Sequence, residues 1–133
     1  MDCMMSDKPI VTRTTEHWLQ ADGILRSTAL LGAGQSLADA EENTAAMTAL
    51  AGGKRHPVLL DLGGVRKPLS RDARQFYAGP EMARVASATA VLISSPVSRV
   101  VGNFVLGASP SRVPTRLFTR EEDALAWLSG FLE

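Results

Sequence analysis

The chain has 133 residues, 45% hydrophobic and 5% aromatic, which predicts one globular domain with an aliphatic core. Fourteen basic residues balance fourteen acidic ones, so the basic excess typical of nucleic-acid binders is absent and we expect no nucleic-acid partner. The single cysteine, Cys3, excludes an internal disulfide and a cysteine-based zinc site. No apolar run approaches the roughly 20 residues that span a bilayer, and no secretory signal opens the chain, so we expect a cytoplasmic protein without membrane insertion.

The first predicted elements are a tail and a hairpin. Residues 1–9 are predicted to be the tail, and residues 10–133 a single α/β domain. An Asp-Gly pair at 22–23 separates two strand-like runs, 16–20 and 24–31. Glycine accepts the positive φ of a tight turn, so this pattern predicts a β-hairpin.

The first helix is predicted from its caps and its periodicity. Ser36 is the predicted N-cap, with Asp39 completing a capping box, and Gly52-Gly53 ends the helix. Apolar residues recur at helical spacing, which predicts a buried face and a face in water. The predicted buried residues are Leu37, Ala40, Thr44, Met47 and Leu50, and the predicted exposed ones are Asp39, Glu41, Glu42 and Asn43.

Two continuous apolar runs, 58–62 and 88–93, predict central parallel strands that are covered on both faces. Between them, Pro68-Leu69-Ser70 leads into a second helix, and Pro80 is predicted to open a further short helical turn.

The last third of the chain contains a helix, a strand and a closing helix. Ser95 is predicted to cap a helix that Gly107 ends, and residues 115–118 form the predicted last strand. Thr119 is the predicted N-cap of the closing helix. Its predicted buried stripe consists of Ala124, Leu125, Leu128, Phe131 and Leu132.

The predicted order is therefore β-β-α-β-α-β-α-β-α. Alternating strands and helices predict an α/β fold with a mostly parallel sheet, and the opening hairpin makes that sheet mixed. We expect about five strands and four helices.

Two segments carry a resemblance to a known family. Residues 58–65, VLLDLGGV, are similar to a buried family strand followed by Asp-Leu, and residues 116–128 end in EEDALAWL. Together with the element order, they resemble the SpoIIAA-like superfamily, which includes the STAS domains of anti-sigma-factor antagonists, and in particular its uncharacterised bacterial branch. The resemblance implies a SpoIIAA-like fold and a non-catalytic role in protein–protein regulation.

The family places a phosphorylatable serine at the start of the helix after this strand, and Ser70 matches it in position. Leu69 replaces the family's flanking acid, and Arg71 and Asp72 replace its second serine and glycine. The resemblance thus makes Ser70 a candidate switch residue in a sequence context that differs from the family pattern.

Polar residues gather at the predicted carboxyl edge of the sheet, where open α/β sheets bind ligands. Ser70 and Ser95 start helices, whose free N–H groups and dipole favour anions. The plainer interpretation, which we favour, makes both serines N-caps, and Asp61 a cap on nearby backbone N–H groups or the partner of an arginine. The candidate switch or anion site consists of Ser70, Ser95, Arg99 and Asp61.

The predicted third helix carries more apolar residues than one buried face needs. The surplus predicts a small apolar pocket, a dimer contact, or simply a helix that the sheet and the following loop cover well. The candidate pocket or interface residues are Val97, Val101, Phe104 and Val105.

The two histidines, His17 and His56, lie at the starts of different predicted strands, without the spacing of a helical metal pair. We therefore expect no Ser-His or Cys-His catalytic arrangement, no metal site and no cofactor.

Two functions remain open from the sequence. The first is a SpoIIAA-like protein-interaction module with an unidentified protein partner. The alternative is a carrier that holds an apolar or anionic molecule between the third helix and the sheet. The apolar surplus and the zero net charge further predict a homodimer.

Overall fold

The structure is a computed structural model that describes residues 8–30, 34–65, 69–77, 79–94 and 113–132. Six strands and four helices form within these ranges. Their bounds are β1 (Ile10–Val11), β2 (Thr15–Leu19), β3 (Leu25–Ala29), α1 (Leu37–Ala51), β4 (His56–Asp61), α2 (Arg71–Tyr77), α3 (Pro80–Ala83), β5 (Ala86–Leu92), β6 (Thr115–Phe118) and α4 (Glu121–Ser129).

The sheet is mixed, and its strands lie in chain order from β1 to β6. The β1–β2 and β2–β3 pairs are antiparallel, and the other three pairs are parallel. The predicted hairpin is confirmed: its turn contains Gly23 at a φ of 91° and joins β2 to β3. The predicted central strands are confirmed as β4 and β5, each paired on both sides.

The helices cover both faces of the sheet. Side chains alternate along β4, so Val58 contacts the cluster of α1 residues that includes Met47, whereas Leu59 contacts the cluster that contains Leu128 of α4. Helix α2 lies on the α1 side, where Ala73 joins the same buried cluster as Ala40 of α1. None of the described helices combines the length and apolar composition that crossing a membrane requires.

Strand β1 was not predicted. It pairs with β2 over only two residues, Ile10 opposite His17 and Val11 opposite Glu16. So short a strand has no readable alternation, and it brings the described strands to six rather than the predicted five.

Helix α1 has the predicted ends, but its predicted faces are partly wrong. Ser36 forms the capping box with Asp39, and Gly52 ends the helix at a φ of 64°. However, Asp39 and Asn43 are buried, whereas Leu37 is 37% exposed. Asp39 and Asn43 lie on the side of α1 that faces the β1–β2 end of the sheet. There Asp39 bonds a charged side chain, and Asn43 bonds polar ones.

The closing helix begins one residue later than predicted. Arg120, not Thr119, is the N-cap of α4, and it makes no side-chain capping bond. Ala124 and Leu128 are fully buried, as predicted, but Leu132 is 37% exposed because α4 ends at Ser129. The short helix α3 starts with Pro80 in its first turn, as predicted.

The predicted third helix, from 95 to 107, lies outside the described residues. That range contains Ser95 and Arg99, together with the whole candidate pocket of Val97, Val101, Phe104 and Val105.

Candidate functional site

The carboxyl ends of three strands come close together at one edge of the sheet. Asp61 ends β4, and its Oδ1 accepts the backbone N–H of Gly63 at 2.8 Å. A Cβ on Gly63 would lie 3.2 Å from Ser94 Oγ, just past the end of β5. A Cβ on Gly64 would lie 2.6 Å from the carbonyl oxygen of Ala29, which ends β3, so only glycine fits there. Asp61 thus organises its own turn at this edge.

Ser70 lies just before α2 and is exposed. Its Oγ accepts the backbone N–H of Ala73 at 3.1 Å, which makes it the cap of this helix. Its own N–H donates to the carbonyl oxygen of Gln35 at 3.0 Å, so the start of α2 lies beside the start of α1. Ser70 and Asp61 each bond within their own turn, and their predicted companions Ser95 and Arg99 lie outside the described residues.

A buried polar network, which the sequence did not predict, joins both helices to the sheet. Its centre is the amide of Asn43, which is 2% exposed. Asn43 Oδ1 accepts from Thr12 Oγ1 at 2.5 Å and lies 3.0 Å from His17 Nε2. Asn43 Nδ2 donates to Thr14 Oγ1 at 3.0 Å and to Tyr77 Oη at 3.1 Å.

The network continues beyond Asn43 in two directions. On the sheet, His17 Nδ1 lies 2.6 Å from the hydroxyl of Ser27, its register partner across the hairpin. On the helix side, Tyr77 Oη donates to Gln35 Oε1 at 2.5 Å. We call Ser27, His17, Asn43, Tyr77 and Gln35 the polar network.

The sequence predicts no Ser-His catalytic arrangement, yet Ser27 Oγ lies 2.6 Å from His17 Nδ1. Ser27, His17 and Asn43 stand at the distances of a nucleophile, a base and the group that orients it. Ser27 is 0% and His17 1% exposed, because both lie between the sheet and α1. A substrate has no access to the Ser27 hydroxyl in this position. The bonds of His17 to Ser27 and Asn43 therefore contribute to the fold.

Burial sets the pKa of two network members. Burial lowers the pKa of His17 below its ordinary value, although the hydrogen bond that His17 donates to Asn43 and the charge of Glu42 act in the opposite direction. Burial raises the pKa of Tyr77 to about 12, against a smaller lowering effect of its hydrogen bond with Asn43. Both side chains are therefore neutral at physiological pH.

An ion pair lies next to this network. Arg13 follows β1 and donates to the carboxylate of Asp39 and to the carbonyl oxygen of Gly34. The Arg13 hydrogen bonds hold the pKa of Asp39 well below its usual range, more than burial raises it. Asp39 also accepts the N–H of Ser36 at 2.9 Å, so the cap of α1 and the ion pair share one carboxylate.

Two sequence signals could have revealed the network. Thr15, His17 and Leu19 alternate along β2 and therefore share one face, which the predicted hairpin turns towards a helix. Ser36, Asp39 and Asn43 recur at three- and four-residue spacing along one stripe of α1. Within the described ranges, no group of three or more His, Cys, Asp or Glu side chains is placed to hold a metal ion.

Comparison with protein families gives one match that covers most of the chain. A family model described as "Domain of unknown function (DUF7793)" matches residues 17–132. The chain belongs to this family. None of the curated proteins matches it.

Solved structures share the fold of this DUF7793 domain. An uncharacterised DUF3478 protein from Shewanella loihica PV-4, described as having a SpoIIAA-like fold, is 19% identical, with a TM-score of 0.56 over 91% of this chain and 90% of that one. An anti-sigma factor antagonist from Mycobacterium paratuberculosis is 16% identical, with a TM-score of 0.61 over 87% and 93% of the two chains. The predicted SpoIIAA-like fold is therefore confirmed.

A third structure, a protein with unknown function from Arthrobacter sp. FB24, is 38% identical and covers 90% of this chain and 96% of that one, with a TM-score of 0.35.

Proposed function

We propose that this DUF7793 domain is a non-catalytic protein-interaction module that acts in bacterial regulation. The observation that carries the proposal is the fold, which is shared with an anti-sigma factor antagonist at a TM-score of 0.61. A fold alone does not determine function, so the proposal also requires a suitable surface on this chain.

A non-catalytic role agrees with the chemistry of the described residues. The only arrangement among them that resembles a catalytic set is Ser27-His17-Asn43, and its serine is fully buried. The role requires no cofactor, and it suits a cytoplasmic protein.

The partner is proposed to bind where α1 and α2 begin. Leu37, Ser70 and Arg71 are exposed there, and the bond from Ser70 N–H to Gln35 holds the two helix starts side by side. We call these three residues the helix-start surface. It combines an apolar side chain and a hydroxyl with an arginine, a residue type that is enriched at protein interfaces.

Site-specific photocrosslinking tests this proposal. A photoreactive residue replaces Arg71 in one variant and Ala126, exposed on α4 across the sheet, in the control. We expect a discrete protein to crosslink in cells from position 71 and not from position 126. After identification by mass spectrometry, the purified partner should bind the wild type and Ala126→Asp equally, and Leu37→Asp at least about tenfold more weakly, a loss of 1.4 kcal/mol. Equal binding by all three proteins would contradict the proposed surface.

The alternative function, a small-ligand carrier, depends on residues 97–105, outside the described residues. It stays a prediction, as does the homodimer. Sedimentation that shows only a 14.2 kDa species across the micromolar range would exclude the homodimer.

A further inference from the structure

Strand β6 forms one edge of the sheet, because among the described strands it pairs with β5 alone. The backbone N–H of Ile93, just after β5, donates to the carbonyl oxygen of Phe118 at 2.9 Å, so the backbone of Phe118 faces β5. Backbone groups alternate in direction along a strand, and the N–H and C=O groups of Thr115 and Leu117 therefore point away from β5. These groups have no hydrogen-bond partner in the described part of the chain, so β6 presents an open edge.

An exposed guanidinium lies beside this open edge. Arg116 Cζ is 5.2 Å from the ring centroid of Phe118, on the same strand, and 5.6 Å from that of Trp127 on α4. Contacts of a guanidinium with aromatic faces are attractive and restrict where the group lies. No carboxylate of the described residues forms an ion pair with Arg116. Its N–H groups are therefore held in place and free to bind an acidic group from outside the domain.

The rings that contact Arg116 belong to a small aromatic cluster. The centroids of Phe118 and Trp127 are 5.7 Å apart, and those of Trp127 and Phe131 are 5.0 Å apart. All three side chains are only partly buried, so each keeps some apolar surface in contact with water. Arginine and aromatic residues are enriched in the parts of protein interfaces that contribute most to binding. We call residues 115–118 and Trp127 the β6 surface.

The occupant that fits these groups is an extended segment of another protein. A strand added beside β6 would bond the outward backbone groups of Thr115 and Leu117, and its side chains would alternate between the two faces of the sheet. On the α4 face, one of its side chains would lie opposite Arg116 and the next but one opposite Phe118, at cross-strand distances of about 4.5–5.5 Å. An acidic side chain suits the first position and an apolar one the second.

A second copy of this chain fits the same edge less well. Antiparallel pairing of two β6 strands about a two-fold axis would place both Arg116 guanidinium groups on one face of a short ladder, where like charges repel. The strand has four residues, too few to bury the roughly 1,200 Å² of a standard stable interface. A single added segment avoids this repulsion and needs no large interface to bind weakly.

We propose that the β6 surface binds an extended segment of a partner protein, which adds as a strand beside β6 and places a carboxylate against Arg116. Two residues away, an apolar side chain of the same segment packs against Phe118. The helix-start surface lies with α1 and α2 on the other face of the sheet, so this inference goes beyond the proposed function. Either surface could bind a partner without the other.

Titration with short synthetic peptides, followed by NMR, tests the proposal on the wild-type protein. The probe is a capped threonine peptide with one glutamate and one isoleucine two positions apart. We expect it to shift the amide signals of residues 115–118 and the indole signal of Trp127. A peptide with lysine in place of glutamate should bind about tenfold more weakly, and N-methylation of the backbone groups that face β6 should abolish binding. No shift at the β6 surface, or equal binding of the glutamate and lysine peptides, would overturn the proposal.

Three variants locate the binding. Arg116→Glu should bind the lysine peptide more tightly than the glutamate peptide, because the charges are exchanged. Thr115→Pro removes an N–H that points away from β5 and should weaken binding of the glutamate peptide. Arg71→Glu, on the helix-start surface, should bind like the wild type.

Two results with these proteins would contradict the proposal. The first is an Arg116→Glu variant that keeps the wild-type preference for glutamate. The second is a wild-type dimer, seen by sedimentation without peptide, that dissociates in Thr115→Pro, because a second copy would then occupy the edge.

Discussion

The guanidinium of Arg13 donates to both carboxylate oxygens of Asp39, from Nε to Oδ1 at 2.7 Å and from Nη2 to Oδ2 at 2.6 Å. The pair fastens the turn after β1 to the first turn of α1. The same carboxylate completes the capping box with Ser36, so one side chain satisfies a helix end and neutralises a cation.

We therefore expect Asp39→Asn to lower the free energy of unfolding at neutral pH. The free energy of unfolding should also fall less on acidification than it does in the wild type. The depressed pKa of Asp39 means that its contribution is present above about pH 3.9, the unfolded value, and is lost as the pH falls below it. Urea unfolding at about pH 7 and pH 3 measures the difference. Glu41→Gln, on the exposed side of α1, should retain the wild-type acid dependence. An equal acid dependence in Asp39→Asn and the wild type would show that the pair adds no stability.

Two neighbouring residues on α1 should respond in opposite ways to an apolar replacement. Asn43→Leu leaves His17, Thr14 and Tyr77 without their partner and should cost about 1–3 kcal/mol or more.

Thr44→Val is the matched control, because Thr44 Oγ1 is buried with no hydrogen-bond partner among the described residues. It should be neutral or stabilise by up to about 1 kcal/mol. Chemical unfolding of both variants measures the contrast, and a Thr44→Val protein as unstable as Asn43→Leu would argue against the network as the cause.

The single tyrosine makes an alkaline titration specific to the network. Tyr77 should ionise with a pKa of about 12 in the folded protein and near 10 in urea, as followed by tyrosinate absorbance. Because the folded pKa is raised, the stability that this neutral hydroxyl provides is present below pH 10.0 and is lost as the pH rises towards 12. Tyr77→Phe should lack this loss. A folded-state midpoint close to 10 would mean that Tyr77 is more accessible than the structure indicates.

Two variants of Ser70 distinguish a structural capping role from a regulatory role. Ser70→Ala should lose the bond to Ala73 and about 1 kcal/mol, whereas Ser70→Asp should keep the cap. If the helix-start surface binds a partner through this position, Ser70→Asp changes affinity while the melting temperature is preserved. Binding that simply follows stability in both variants would limit Ser70 to its capping role.

Local patterns predicted the backbone better than the polar contacts. Features that depend only on residues adjacent in sequence were confirmed. They are the turn at 22–23, the capping box at Ser36 and the buried runs of β4 and β5. The α4 start was misplaced because Thr119 and Arg120 are adjacent, and only the backbone dihedrals distinguish the cap.

The burial of Asn43 could not be predicted in the same way. Its partners Thr12, His17 and Tyr77 lie between 26 and 34 residues away, and only the packing of α1 on β2 and α2 brings them together. A polar residue on a helix is usually exposed, so helical periodicity alone assigned Asn43 to the water-facing side.

The two-residue edge strand has a consequence for behaviour at high concentration. A free sheet edge can pair with the edge of another molecule and start aggregation. Beyond Val11 the chain leaves the edge at once, because Thr12 donates its N–H to Thr15 and its hydroxyl to Asn43. At β1 itself, an incoming strand meets a ladder of only two residues, too short to hold an intermolecular sheet together.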